Sequence, residues 1–274
     1  MIKLVPTREF KVPIFAPCIS PTVLQGKTLE EIRQLEVWEG NRKRVLGDLF
    51  RVEETETKSD SDDLTLIIEG DVSKVRMIGA GMVSGEIIVK GDVGMHLGEE
   101  MEGGKITVYG NVGGWAGSMM KGGLIEIHGN VDDFLAAPYR GQGKGMSGGT
   151  IIVYGDVGRE AGAYMRKGLI KIYGNADQFV GYAMQGGTIY VQKNSGANTA
   201  ACMVNGTVII GGRIDSVLPS FTIDGIKNKV KVDENEVIKA PFYLFIGDLA
   251  ENGKGKLYVS KENNPHLSYY ERFL

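Results

Sequence analysis

Cysteine is almost missing from this chain. Cys18 and Cys202 are the only two among 274 residues, so the sequence holds no disulfide framework and no CxxC pair. An ordinary iron–sulfur cluster takes about four thiolates, more than this chain can supply alone. Histidine is as sparse: His96, His128 and His266 stand in separate segments, without metal-ligand spacing. Proline is limited to 8 residues and glycine follows no three-residue period, which excludes collagen. No apolar run approaches the ~18 residues of a membrane span. The N-terminal MIKLVPTREFKVPIF carries prolines and charges where a signal peptide is apolar, so a cytoplasmic location is expected. One-sided charge is missing as well. With 31 Lys and Arg against 34 Asp and Glu, and a pI near 5.8, neither nucleic acid nor an anionic membrane is an expected partner. A hydrophobic share of 42% supports a core and argues against disorder.

Glycine, by contrast, is abundant. The chain has 40, and 33 of them lie between Leu64 and Ser216. The overall share is about twice the ordinary ~7%. The segment that holds them is a repeat. Rows begin EIIVKGDVG at Glu86, KITVYGNVG at Lys105, LIEIHGNVD at Leu124, TIIVYGDVG at Thr150, LIKIYGNAD at Leu169 and TIYVQKNSG at Thr188. Five of these six rows have 19 residues, and the Leu124 row carries seven extra. A first row starts at Thr65 and an eighth at Thr207.

Each row opens with an alternating segment whose second and fourth residues are aliphatic, as in Ile106 and Val108 or Ile170 and Ile172. Period two predicts a strand with those residues inward. An Asp or Asn follows in seven rows, from Asp71 to Asn194, and a methionine closes each of them: Met82, Met101, Met120, Met146, Met165, Met184 and Met203. A βαβ unit needs roughly 30 residues or more, so 19 residues leave room only for one turn of a coil. Stacked coils place equivalent strands in parallel ~4.8 Å apart, with glycine at the corners. The expected fold is all-β: a right-handed parallel β-helix of about eight coils, with a small α/β N-terminal segment and a C-terminal cap.

The expected divisions are residues 1–63 as the N-terminal capping segment, 64–216 as the repeat body and 217–274 as the C-terminal cap. Thr28-Leu-Glu-Glu31 predicts a capping box for a helix from about Thr28 to Glu36. KSDSDD over Lys58–Asp63 reads as a linker, and VKV, FYLFI and KLYV read as strands covering the last coil.

Motifs of chemistry are weak. GKGMSG at Gly143–Gly148 matches G-x-G-x-x-G but leads into a strand, whereas the dinucleotide motif leads into a helix. The carboxylates Glu99, Glu100, Glu102, Asp132 and Asp133 read as solvated loop charge. No catalytic, cofactor or metal site is expected in this chain. Two features carry a functional expectation instead. Tyr109, His128, Tyr154 and Tyr173 recur at one outward repeat position. The enlarged Leu124 row carries Tyr139, Arg140 and Lys144, and a long loop on a rigid scaffold is a common place for binding. These seven residues form the candidate partner interface.

The spacing G-xx-G-xxx-G recurs on Gly91, Gly94, Gly98; Gly110, Gly113, Gly117; and Gly155, Gly158, Gly162. It departs in the Leu124 row, at Ala136, and in the Thr188 row, at Lys193. This pattern resembles the GXGXG repeat, a right-handed β-helix at the C-terminal end of the glutamate synthase large subunit. In size and layout the chain is similar to the C subunit of the formylmethanofuran dehydrogenases. That resemblance implies a non-catalytic scaffold in a complex that reduces CO2 and forms formylmethanofuran in the first step of methanogenesis. It implies partner subunits carrying a tungsten or molybdenum pterin, iron–sulfur clusters and an amidohydrolase-like, metal-dependent formyl-transfer site. Two alternatives stand beside it: the C subunit of a formyltransferase/hydrolase complex acting on formylmethanofuran, and a stand-alone β-helix carbohydrate-active protein.

Overall fold

The computed structural model describes residues 1–55 and 63–274; apart from Asp63, the linker expected over Lys58–Asp63 lies outside the described residues. In the repeat periods from Glu86 to Gly206 only the first four or five residues are extended. The strands are Thr65–Glu69, Glu86–Lys90, Lys105–Val108, Leu124–Ile127, Thr150–Val153, Leu169–Ile172, Thr188–Val191 and Thr207–Ile210. Each pairs in parallel and in register with the next, so Ile87, Ile106, Ile125, Ile151, Ile170, Ile189 and Val208 form one row. The row from Val89 to Ile210 runs beside it, and both rows are fully buried. β-Branched side chains pack well on such a pleated face.

After its strand the chain turns. A second line of contact consists of single parallel bridges, running Val72, Val93, Val112, Val131, Val157, Ala176 and Ser195. The seven repeat methionines make a third line, all with no exposed surface. Between these lines, Asp92 Oδ1 accepts from the backbone N–H of Asn111 at 2.6 Å. The same bond recurs down the stack, from Asn130 to Asn111 at 2.9 Å and from Asn175 to Asp156 at 2.7 Å. Backbone donors that the turn leaves without a strand partner are satisfied this way.

The corners do not rely on glycine alone. His96, Trp115, Phe134, Glu160, Phe179 and Asn198 occupy one repeat position with φ between 59° and 69°. Several glycines serve closeness instead. A Cβ at Gly122, whose φ is not positive, would lie 2.2 Å from the Glu102 carbonyl oxygen of the preceding coil.

Both flanks extend the sheet. Ile2–Pro6 pairs in parallel with Thr65–Glu69 and antiparallel with Phe50–Glu54. At the other end Gly255–Ser260 pairs in parallel with Thr207–Ile210, followed by antiparallel Phe242–Gly247 and Thr222–Lys227. The result is one mixed sheet of 13 strands. A separate four-stranded sheet joins Arg42–Val45, Glu36–Glu39, Ile14–Phe15 and Val75–Arg76, beside short helices at Pro21–Leu24, Leu29–Arg33 and Leu46–Leu49. The capping box at Thr28 and Glu31 is formed, but its helix ends at Arg33. Val37 is buried and Trp38 exposed, and that alternation makes Glu36–Glu39 a strand.

The expected all-β class, a right-handed parallel β-helix of about eight coils, is therefore corrected. The described chain is a 13-stranded mixed sheet with α/β character and a second sheet of four strands. The period yields one strand, because the rest of each row passes through single bridges and left-handed turns that cannot extend into further sheets.

Candidate functional site: two aromatic ladders

From the Lys105 row on, the fifth residue of each period lies just past the strand end. Stacking of the coils therefore stacks these side chains. The rings of Tyr109 and His128 are 4.8 Å apart and tilted by 11°, His128 and Tyr154 4.8 Å and 15°, and Tyr154 and Tyr173 5.3 Å and 17°. Strand spacing of ~4.8 Å is near the separation that offset-stacked rings prefer. The Tyr154 hydroxyl donates to Glu126 at 3.0 Å, and that bond, with burial, raises its pKa. Lys105 Nζ lies 3.7 Å from the same carboxylate.

One end of this face is covered from within the chain. Val230, Val232 and Phe242 pack on Tyr190 and Ile209, with Leu169 and Tyr173 at the margin. Lys171, with only 11% of its side chain exposed, is held by Asp233 at 2.5 Å and Glu236 at 2.7 Å. Burial opposes its charge, but the two carboxylates outweigh it and push the ammonium pKa up. The other end stays open: Tyr109 is 59% exposed and Tyr154 44%.

The enlarged coil builds a second cluster. Tyr139 reaches back across the stack, and its hydroxyl donates to Glu99 at 2.7 Å. His96 Nδ1 is 2.9 Å from Glu99 and 3.3 Å from the Tyr139 oxygen. Burial first, then the Glu99 carboxylate, raises the Tyr139 pKa, so the hydroxyl keeps its proton at neutral pH. His96 stacks on Trp115 at 5.5 Å and Trp115 on Phe134 at 4.5 Å. Trp115, Phe134, Tyr139, Tyr164 and Tyr182 line a cleft of about 150 Å³. Arg140 and Lys144 point to solvent. The GKGMSG motif forms part of this loop's base: Gly145 donates to the Tyr164 carbonyl, and a Cβ there would meet the Ala163 carbonyl at 2.4 Å.

The structure thus joins Tyr109, His128, Tyr154 and Tyr173, and sets Tyr139 in a different cluster that shares no residue with them. Glu99 is not the solvated charge expected from sequence. It is buried, with both oxygens facing Tyr139. The signal for this second ladder was the shared repeat position of His96, Trp115 and Phe134. Among the described residues no group of three or more His, Cys, Asp or Glu could hold a metal ion, and no helix is long and apolar enough to cross a membrane.

No family model matches the chain, so neither the GXGXG-repeat assignment nor the likeness to glutamate synthase gains support. The C subunit of the molybdenum-containing formylmethanofuran dehydrogenase 1 of Methanothermobacter wolfeii is 50% identical over 95 residues, 35% of this chain and 23% of that protein. The match therefore spans about a quarter of that relative. The C subunit of the tungsten-containing formylmethanofuran dehydrogenase 2 of Methanococcus maripaludis is 54% identical over 265 residues, 94% of this chain and 96% of the relative. A solved structure of the formyltransferase/hydrolase complex from Methylorubrum extorquens, in complex with methylofuran, superposes with a TM-score of 0.81. It is 30% identical and covers 94% of this chain and 99% of that one. On the near-complete match to the Methanococcus protein, the chain belongs to the family of formylmethanofuran dehydrogenase C subunits.

Proposed function

We propose that this chain is the scaffold subunit of a cytoplasmic formylmethanofuran dehydrogenase complex, which reduces CO2 and forms formylmethanofuran at the start of methanogenesis. The observation that carries this reading is the 54% identity to a subunit of that name over nearly the whole of both chains. The metal pterin, the iron–sulfur clusters and the amidohydrolase-like formyl-transfer site belong, on this reading, to other subunits. The chain's own contribution is a stiff stack of repeats, divided as 1–63, 64–216 and 217–274, with partner contact at Tyr109, His128, Tyr154 and Tyr173 and at the Tyr139, Arg140 and Lys144 loop. The exposure of Tyr109 and Tyr154 supports the first surface, since large aromatics left open on a rigid face are typical interface anchors.

The superposition with the formyltransferase/hydrolase complex favours a second reading, a subunit that handles the formyl group without a redox step. Metal analysis of the native assembly separates the two. Molybdenum or tungsten co-purifying in stoichiometric amount supports the dehydrogenase, and an assembly that transfers formyl groups with neither metal supports the other.

A further inference from the structure

We propose that the N-terminal region carries a binding groove for a carboxylate-rich peptide segment, supplied by another subunit of the assembly. The groove lies between the Arg8–Val12 segment and the hairpin turn at Gly40–Asn41, and encloses about 680 Å³. Its walls carry four cations, Arg8, Lys11, Arg42 and Arg44, against two acids, Glu9 and Glu39. That local excess of positive charge stands on a chain whose net charge is −3.

The groove already displays the chemistry it selects. Glu39, with 11% of its side chain exposed, places one oxygen 2.6 Å from Arg8 and the other 3.2 Å from Arg44. The Arg8 hydrogen bond, with Arg44 beside it, outweighs burial and holds the Glu39 carboxyl below its usual range. This bridge fixes two guanidinium groups in place. A planar guanidinium matches a carboxylate edge to edge, and a pre-positioned one loses less side-chain freedom when it binds. Lys11 and Arg42 are exposed and enter no ion pair among the described residues. Val12, 40% exposed, adds an apolar side chain to the same lining. The occupant is therefore an extended segment with at least two carboxylates and one apolar side chain. The volume lies within the ~300–1,000 Å³ of ordinary ligand clefts, enough for a few residues.

This inference rests on the chain being one subunit of a larger assembly, but its test does not. A fluorescein-labelled Asp/Glu hexapeptide and its Asn/Gln counterpart are titrated with the full chain at low and at physiological salt. The acidic peptide binds and the neutral one does not. Affinity falls about tenfold or more in the Lys11→Glu/Arg42→Glu double variant and declines with salt. If the charge reversals unfold the protein, Lys11→Gln/Arg42→Gln makes the same comparison. Equal binding of the neutral peptide, unchanged affinity in the variants, or tighter binding of a single-stranded oligonucleotide of equal charge overturns the proposal. Peptide binding by a chain that purifies alone leaves the groove standing and removes the subunit reading. Assembly without peptide binding does the reverse.

Discussion

At the scale of single residues, the most informative group is the Tyr139 hydroxyl. It links the enlarged loop to the buried Glu99, which it shares with His96, and an unmatched buried carboxylate is costly. Tyr139→Phe is expected to cost about 1–3 kcal/mol, as for other hydrogen bonds to charged groups. It also loosens the loop, which limited trypsin cleavage after Arg140 and Lys144 reads directly. The pH dependence has a definite sign. The folded pKa of Tyr139 is raised above the ordinary value of 10.0. Its contribution is therefore whole below that value and is lost as pH rises above it, when the unfolded chain releases this proton first. A spectroscopic tyrosinate titration of wild type against Tyr139→Phe should show one late-ionising phenol missing from the variant. A titration that ionises this phenol at or below the ordinary value contradicts the assignment. Glycines separate in the same way. Gly122→Ala forces a methyl against a neighbouring coil's backbone, which cannot give way, and should destabilise by about 1–3 kcal/mol in denaturant unfolding. Gly143→Ala, with nothing within 4 Å and no positive φ, should be close to neutral.

At the scale of elements, the repeat strands and the methionine line were legible because each depends on a local period. Alternation buries Ile125 and Ile127, and recurrence stacks Met120 between Met101 and Met146. What decided the fold class was not local. Nothing in IKLVP indicates that Ile2–Pro6 will lie parallel to Thr65–Glu69, about sixty residues away, and make the sheet mixed. Left-handed backbone at Trp115 or Phe179 was equally hidden, since aromatic residues rarely adopt it and only the stacked coils impose it. The ring ladder on Tyr109, His128, Tyr154 and Tyr173 could be read from spacing, whereas the pairing of Tyr139 with Glu99 spans 40 residues and could not. The Val230–Lys231/Val237–Ile238 hairpin gives a test at this level. Its acidic residues grip Lys171, so Lys171→Met leaves Asp233 and Glu236 facing an apolar side chain. Hydrogen exchange should quicken over residues 230–238 while the Leu169–Ile172 strand stays protected. Equal protection in wild type and variant would show that the ion pairs do not hold the hairpin.

At the scale of the whole molecule, the buried rows run without interruption from the N-terminal strands through the repeat to the C-terminal strands. Such a body is a ruler more than a pocket, with side chains presented at fixed intervals. The central claim is that the open side of the Tyr109–Tyr173 ladder meets another subunit. Native mass spectrometry of the assembly purified through this chain, wild type against Tyr109→Glu/Tyr154→Glu, tests it most directly. Both side chains are exposed, so the variant should stay folded with hydrogen exchange in the buried rows unchanged, at a somewhat lower thermal midpoint because the Tyr154–Glu126 hydrogen bond and the ring stacking are lost. The wild type is expected in a complex with redox and formyl-transfer subunits, and the folded variant as a free chain of 29.7 kDa. A wild-type chain that stays monomeric, or a variant that assembles as well as wild type, would contradict the account.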